Sequence, residues 1–239
     1  MAKEAKDSLI RLSKSCLSDA EKNAVIGVLN REYLGMGDEV RRFEAALEEF
    51  LESLEEYRGY PITKLALKFI VHTFVRPGAL RSAVWTDFDF ENKIWRIPAE
   101  KMKMNEEHLV PLSDQVLEIL DSVRDYSGNY KLVFPSTHDR RNVMSDNTLT
   151  NAIRKRLHFD ATAHGFRTTA STILNEAGFR VDVIERQLAH GERNKVRAAY
   201  NRSQYLAERI KMMQWYADYL DELKTGSNVI AIRSGVEAR

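Results

Sequence analysis

The sequence predicts a mostly α-helical protein with one small antiparallel β-sheet, an α+β fold. Two patterns carry that expectation. The stretch "FEAALEEFLESLEEYR", residues 43–58, repeats apolar residues at Phe43, Ala46, Leu47, Phe50, Leu51 and Leu54, the stripe of an amphipathic helix. By contrast, "WTDFDFENKIWRIPAEKMKMNEEHLVPLS", residues 85–113, reads as a meander of short strands. Helical periodicity returns after it.

Each element has its own signal. "GYP" breaks the first helix, a second runs from about Ile62 to Phe74, and "VRPGALR" punctuates after it. Within the meander, "ENK" is the first turn. Lys101 to Glu107 form a polar hairpin loop between "IWRIP" and "HLVPL". A helix follows from Asp114 to about Tyr126, then "LVFPS" as a short extended link. "SDNTLTNAIRKRL" opens a helix with Ser145 or Asp146 as its N-cap. The helix in "HGFRTTASTILNEAG" closes at Gly178, "VDVIERQLAH" is next, and "SQYLAERIKMMQWYADYLDELK" is the last long helix. Near the end, "NVIAI" reads as a short strand that pairs with a sheet edge in this molecule or a neighbour.

Composition narrows the setting. The single cysteine, Cys16, excludes an internal disulfide. No apolar run approaches the roughly 20 residues of a membrane span. The N-terminus lacks the apolar core of a signal peptide, so the expected setting is the cytoplasm. The net charge of +1 conceals a division. From Asp38 to Arg58 eight acidic residues stand against three basic ones, while from Arg140 to Lys211 fourteen basic residues stand against seven acidic. A basic stretch of that size is an electrostatic footprint for a polyanion.

Nothing in the chain resembles a Walker loop, and no pair of its six histidines has the spacing of a zinc site. What stands out is a series of cationic and proton-transfer side chains at element boundaries. These are Arg76 before Pro77, Lys103 in the hairpin loop, His164 and Arg167 in "HGFR", His190 after "LA", and Tyr200 ten residues later.

Taken together, "VRPGALRSAVW", "MKMNEEHLVPLS", "HGFRTTAST" and "LAHGERNKVRAAYNR" resemble the tyrosine recombinase (phage integrase) family. The similarity extends over roughly Phe43 to Leu223 and is nearest to integrases of enterobacterial prophages and satellite phages. The family's active site is an Arg, a hairpin Lys, a His-x-x-Arg, a His or Trp, and a nucleophilic Tyr, in that order. The resemblance therefore implies the catalytic set Arg76, Lys103, His164, Arg167, His190 and Tyr200. Lys103 rather than Lys101 is selected because it lies eight residues before Pro111, the family's spacing. It also implies residues 41–225 as the catalytic domain, 1–40 as an N-terminal segment or linker, and 226–239 as a tail.

The implied chemistry suits the residue types. Attack on a phosphodiester builds negative charge on the non-bridging oxygens, which the guanidinium forks of Arg76 and Arg167 match bidentately. His190 adds a hydrogen bond, and His164 assists a phenol that is a poor nucleophile unaided. Lys103 protonates the leaving 5′ oxygen. No metal ion or other cofactor is required. The implied partners are double-stranded DNA attachment sites, further recombinase protomers forming a tetramer on DNA, and accessory DNA-bending proteins, with the protein nucleoid-associated. Two departures qualify the likeness. Ala79 replaces the acidic residue that the family usually carries three positions after its first arginine, which implies reduced activity. Residues 1–40 are also too few for the family's N-terminal DNA-binding domain. The alternative reading is a catalytically weak fragment that binds DNA.

Overall fold

The computed structural model describes residues 38–102, 105–189 and 205–225, with side chains from Glu44 onward. Two compact units divide the chain, Met1–Phe43 and Glu44–Arg239, and only the second is described beyond a few turns of helix backbone. Lys103, His190, Tyr200, the segment up to residue 37 and the "NVIAI" tail lie outside the described residues.

Helix α1, Asp38–Glu55, buries Leu47, Phe50, Leu51 and Leu54, the stripe read from the sequence. It begins before Phe43 and ends three residues before Arg58. Helix α2, Pro61–Thr73, starts on a proline, whose fixed φ suits a first helical position. It is buried on nearly every side, from Ala66 and Leu67 to Val71. Helix α3, Pro77–Arg81, again starts on proline.

The sheet is a three-stranded antiparallel meander: β1 (Phe88–Asp89), β2 (Ile94–Ile97) and β3 (His108–Pro111), in that spatial order. Asp89 pairs with Ile94 across the "ENK" turn, where Lys93 is left-handed at φ 53° and Asn92 is held by the Asp89 carboxylate. Ile97 pairs with His108, so the hairpin loop spans 98–107 and begins with a 3₁₀ turn, Ala99–Lys101. Phe69 of α2 and Phe88 flank Trp95, and Phe134 packs on Phe69, with ring centroids 5.1–6.4 Å apart. That aromatic cluster fastens the sheet to α2.

Helix α4, Asp114–Ser127, is capped by the Ser113 hydroxyl and packs along α2. The "LVFPS" link, expected to be extended, bends at Val133 and Phe134 between two isolated bridges, Leu132 to Val84 and Pro135 to Val143. Helix α5 is only Thr148–Asn151, and it passes into a π turn over Ala152–Arg156. Its N-cap is Asn147, with no side-chain cap bond, in place of the expected Ser145 or Asp146. Both expected caps are committed elsewhere, Ser145 to the Thr148 hydroxyl and Asp146 to Arg81. Helix α6, Gly165–Glu176, closes at Gly178, φ 81°, with Phe179 N–H returning to the Leu174 carbonyl, the Schellman pattern. Helix α7 is Val181–Gln187. Helix α8, Leu206–Lys224, packs against α2, α4, α6, α7 and β3. Every element that contributes to the site described next touches it or its immediate neighbours.

Candidate active site

The site starts from a strained turn. Phe74 ends α2 in the left-handed region, φ 39°, although it is neither glycine nor exposed. A bulky residue there costs on the order of 1–3 kcal/mol unless its surroundings hold it. Here its N–H reaches the Ile70 carbonyl and its ring meets Tyr216 of α8 edge-on at 5.3 Å. The turn delivers Arg76 to the start of α3 and leaves the Phe74 carbonyl facing Arg167.

Arg167 enters from α6. The helix begins at His164, which is exposed and serves as the N-cap position, while the Thr162 hydroxyl accepts the Gly165 N–H. Arg167 is one turn in and is buried. Its Nη1 donates to the Phe74 carbonyl at 2.8 Å and its Nη2 to the Leu188 carbonyl at 2.5 Å. Arg76 Nη2 donates to the next carbonyl, that of Ala189, at 2.9 Å. The two arginines, drawn from different sequence motifs, thus close on one turn.

That turn is the C-terminal end of α7, where helix carbonyls lack intrahelical partners and the macrodipole is negative. Ala189 completes it in the left-handed region, φ 50°. A third group arrives from the sheet: His108, buried at the start of β3, hydrogen-bonds the Gln187 backbone. Three successive residues, Gln187, Leu188 and Ala189, are therefore each held by a side chain from another element.

The electrostatics follow from this crowding. The Arg167 pKa is lowered to about 10, by burial first and then by the neighbouring Arg76 charge, with Glu185 opposing both. His108 is driven well below an ordinary histidine by burial first, then by Arg209, Arg186 and Arg76. It is neutral at physiological pH. Arg209 of α8 is buried and falls to about 9, through burial and then Arg186. It is held by the Gln187 side-chain oxygen, at 3.0 Å from Nε and 2.6 Å from Nη2, and by the Leu109 carbonyl.

A small cavity of about 10 Å³ lies among Arg76, Ala79, Met102, His108, Arg167 and Gln187. That is room for roughly one oxygen-sized atom. None of its described lining residues is a carboxylate. Ala79 presents a methyl group there, and Met102 brings the hairpin loop to its edge, one residue before Lys103. Lys101 is engaged by Asp87 at 2.7 Å. Two donors beside the cavity, Arg76 Nη1 and Gln187 Nε2, are buried without a partner among the described residues.

Residues 38–206 match the phage integrase family. The chain belongs to that family. Among its relatives, the integrase of Enterobacteria phage P4 is 47% identical over 190 residues, covering 72% of this chain and 43% of that protein. Prophage integrase IntA of Escherichia coli K12 is 45% identical over 159 residues, covering 66% of this chain and 38% of that protein. This integrase-family chain therefore spans less than half the length of either relative. The integrase of mycobacterium phage Brujita shares the fold, with a TM-score of 0.55 at 17% identity over 70% of this chain and 55% of that one.

Of the expected integrase residues, the structure brings Arg76 and Arg167 to adjacent carbonyls and sets His164, exposed, at the head of the Arg167 helix. Lys103, His190 and Tyr200 are not described; Met102 and Ala189, the chain neighbours of the first two, both line the cavity. His108, Gln187 and Arg209 were not singled out from the sequence. Arg209 had a signal: it falls in register with Met212, Met213, Tyr216 and Leu220, the buried face of α8. Among the described residues no group of His, Cys, Asp and Glu could hold a metal ion.

Proposed function

We propose that this chain is the catalytic portion of a site-specific DNA recombinase that cleaves and rejoins DNA through a 3′-phosphotyrosine. The observation that carries this reading is the convergence of Arg76 and Arg167 on adjacent carbonyls beside a cavity whose described lining holds no carboxylate. Two guanidinium groups forced together repel each other, and an oxyanion lodged between them relieves that cost. A phosphodiester supplies such oxygens, and their charge grows during in-line attack.

In this mechanism the Tyr200 oxygen attacks phosphorus and gives up its proton, with His164 assisting. The bond to the 5′ oxygen breaks, and Lys103, from the hairpin loop, protonates that oxygen. Arg76, Arg167 and His190 bind the non-bridging oxygens throughout. A 5′ hydroxyl then attacks the phosphotyrosine, releases Tyr200 and restores the phosphodiester. Bond energy is kept in the phosphotyrosine, so the residues need no metal ion or other cofactor for strand exchange.

Double-stranded attachment sites are the proposed substrate, further protomers the proposed partners in a tetramer, and DNA-bending proteins the proposed accessories. The protein would work at the nucleoid. A groove of about 740 Å³, whose lining includes Lys101, Lys131, Arg140 and Arg141 together with Asp87 and Glu100, supports a path for a phosphate backbone. The test is a nicked suicide duplex incubated with the chain and run under denaturing conditions. A covalent adduct that Tyr200→Phe cannot form supports the reading. DNA binding with no adduct on any trapped substrate overturns it.

A further inference from the structure

The buried amide of Gln187 has a fixed direction. A glutamine ordinarily can exchange its oxygen and nitrogen by rotating half a turn. Arg209 forbids that here, because its guanidinium carries only donors and two of its nitrogens reach the Gln187 oxygen, at 3.0 and 2.6 Å. A flipped amide would set donor against donor beside a buried cation. The nitrogen is consequently turned away from Arg209. It is buried and has no partner among the described residues, and Gln187 lines the same cavity as Arg76 and Arg167.

An unpartnered buried donor is costly, because it forfeits its hydration and gains nothing in exchange. Native structures keep few of them, and each calls for an explanation. Arg76 Nη1 stands in the same condition beside the same cavity. The cavity admits about one oxygen-sized atom at roughly 10 Å³. Two donors, one oxygen-sized space and a surrounding positive charge describe an oxyanion pocket.

We infer that Gln187 Nε2 is a further hydrogen-bond donor to the phosphate oxygen that Arg76 holds, and that Arg209 acts through Gln187 as the positioning residue that aims it. This rests on the phosphodiester reading proposed above. The network reaches back to the sheet, since Arg209 also holds the Leu109 carbonyl and His108 holds the Gln187 backbone. The amide is thus fixed at both ends before any substrate arrives, which is the condition under which such a donor contributes most to rate.

Gln187→Glu separates this role from a purely structural one. The substituted side chain keeps the oxygen that Arg209 holds and gains an ion pair with it, so the fold keeps or improves its melting temperature. It replaces the donor facing the cavity with a second acceptor. Adduct formation on the nicked duplex, measured under single-turnover conditions at saturating protein, falls about a hundredfold or more. Duplex affinity stays within about threefold, because the groove cations are untouched. If Gln187→Glu lowers the melting temperature sharply, Gln187→Met, of similar reach and without a donor, reads the same loss of rate after correction for the folded fraction. Cleavage by either folded variant at the wild-type rate overturns the assignment of Gln187 alone. Failure of the wild-type chain to form any adduct overturns the phosphodiester reading, and this inference with it.

Discussion

Arg76 and Arg167 donate to the carbonyls of adjacent residues, Ala189 and Leu188, yet they are not equivalent. Arg167 is buried and spends a second donor on the Phe74 carbonyl, whereas Arg76 is half-exposed and keeps one nitrogen without a partner among the described residues. One guanidinium is a beam in the structure as well as a proposed ligand for the phosphate. The other is chiefly a proposed ligand.

The two arginines should accordingly separate stability from activity. Arg76→Ala is expected to slow adduct formation about a hundredfold with little change in melting temperature. Arg167→Ala should do the same and also destabilise the fold by about 3 kcal/mol, because two buried carbonyls lose their donor. Arg167→Lys should rescue neither, since one ammonium cannot reach both carbonyls. Thermal denaturation alongside single-turnover cleavage checks this. Arg81 is unsuitable as a control, being tied to the Met144 carbonyl and to Asp146, whereas Arg96, half-exposed on β2, serves.

Tyr200→Phe removes a single oxygen and should abolish the denaturant-stable adduct while leaving the melting curve and duplex affinity unchanged. Wild-type adduct formation should persist in excess EDTA. An adduct from the phenylalanine variant, or strict magnesium dependence of the cleavage step, would remove Tyr200 from its assigned role.

Much of this architecture was legible in the residues. The apolar stripe of α1, the prolines opening α2 and α3, the "ENK" turn and the Schellman end at Gly178 are local signals, set by neighbours a few residues away. The convergence of Arg76 and Arg167 was legible only as motif order. Neither the strained turn at Phe74 nor the use of the Leu188 and Ala189 carbonyls leaves a trace in side-chain type, because backbone atoms do the binding. His108 was hidden for a different reason. In "HLVPL" a polar residue opening a strand reads as its solvated edge, and its burial depends on α7 and α8, encoded much later in the chain. The π turn at Ala152–Arg156 likewise follows from packing and not from local propensity.

Acid should weaken the fold through His72. Burial holds this ring down to about 4, with its Nδ1 beside the Lys68 carbonyl at 2.8 Å. An unfolded chain takes up the proton near pH 6.5 while the folded one refuses it until about 4, so protons favour unfolding across that interval. Stability should therefore be full above about pH 6.5 and decline by roughly 3 kcal/mol as the pH falls towards 4. His108 acts in the same direction. Urea melts of the wild type and of His72→Gln at pH 7 and pH 5 test this. An equal pH effect in both would exclude His72 as a source.

Two cations two residues apart on α8 should behave oppositely. Arg209→Leu leaves the Gln187 oxygen and the Leu109 carbonyl buried without their donor and should cost about 3 kcal/mol or more. Lys211→Leu, at an exposed position, should fall within about 0.5 kcal/mol of wild type. Chemical denaturation of the pair measures the difference directly.

The place of Arg209 in the chain has a consequence for synthesis. Arg76 emerges from the ribosome early, Arg167 later, and the helix that braces their shared turn, Leu206–Lys224, later still. Until that last helix docks, the Gln187 amide has nothing to aim it, the Phe74 ring lacks Tyr216, and the Leu109 carbonyl lacks its cation. A nascent chain can therefore display most of the proposed phosphate-binding residues without owning the proposed site. On that reading, competence to cut DNA is expected only once the final helix has closed.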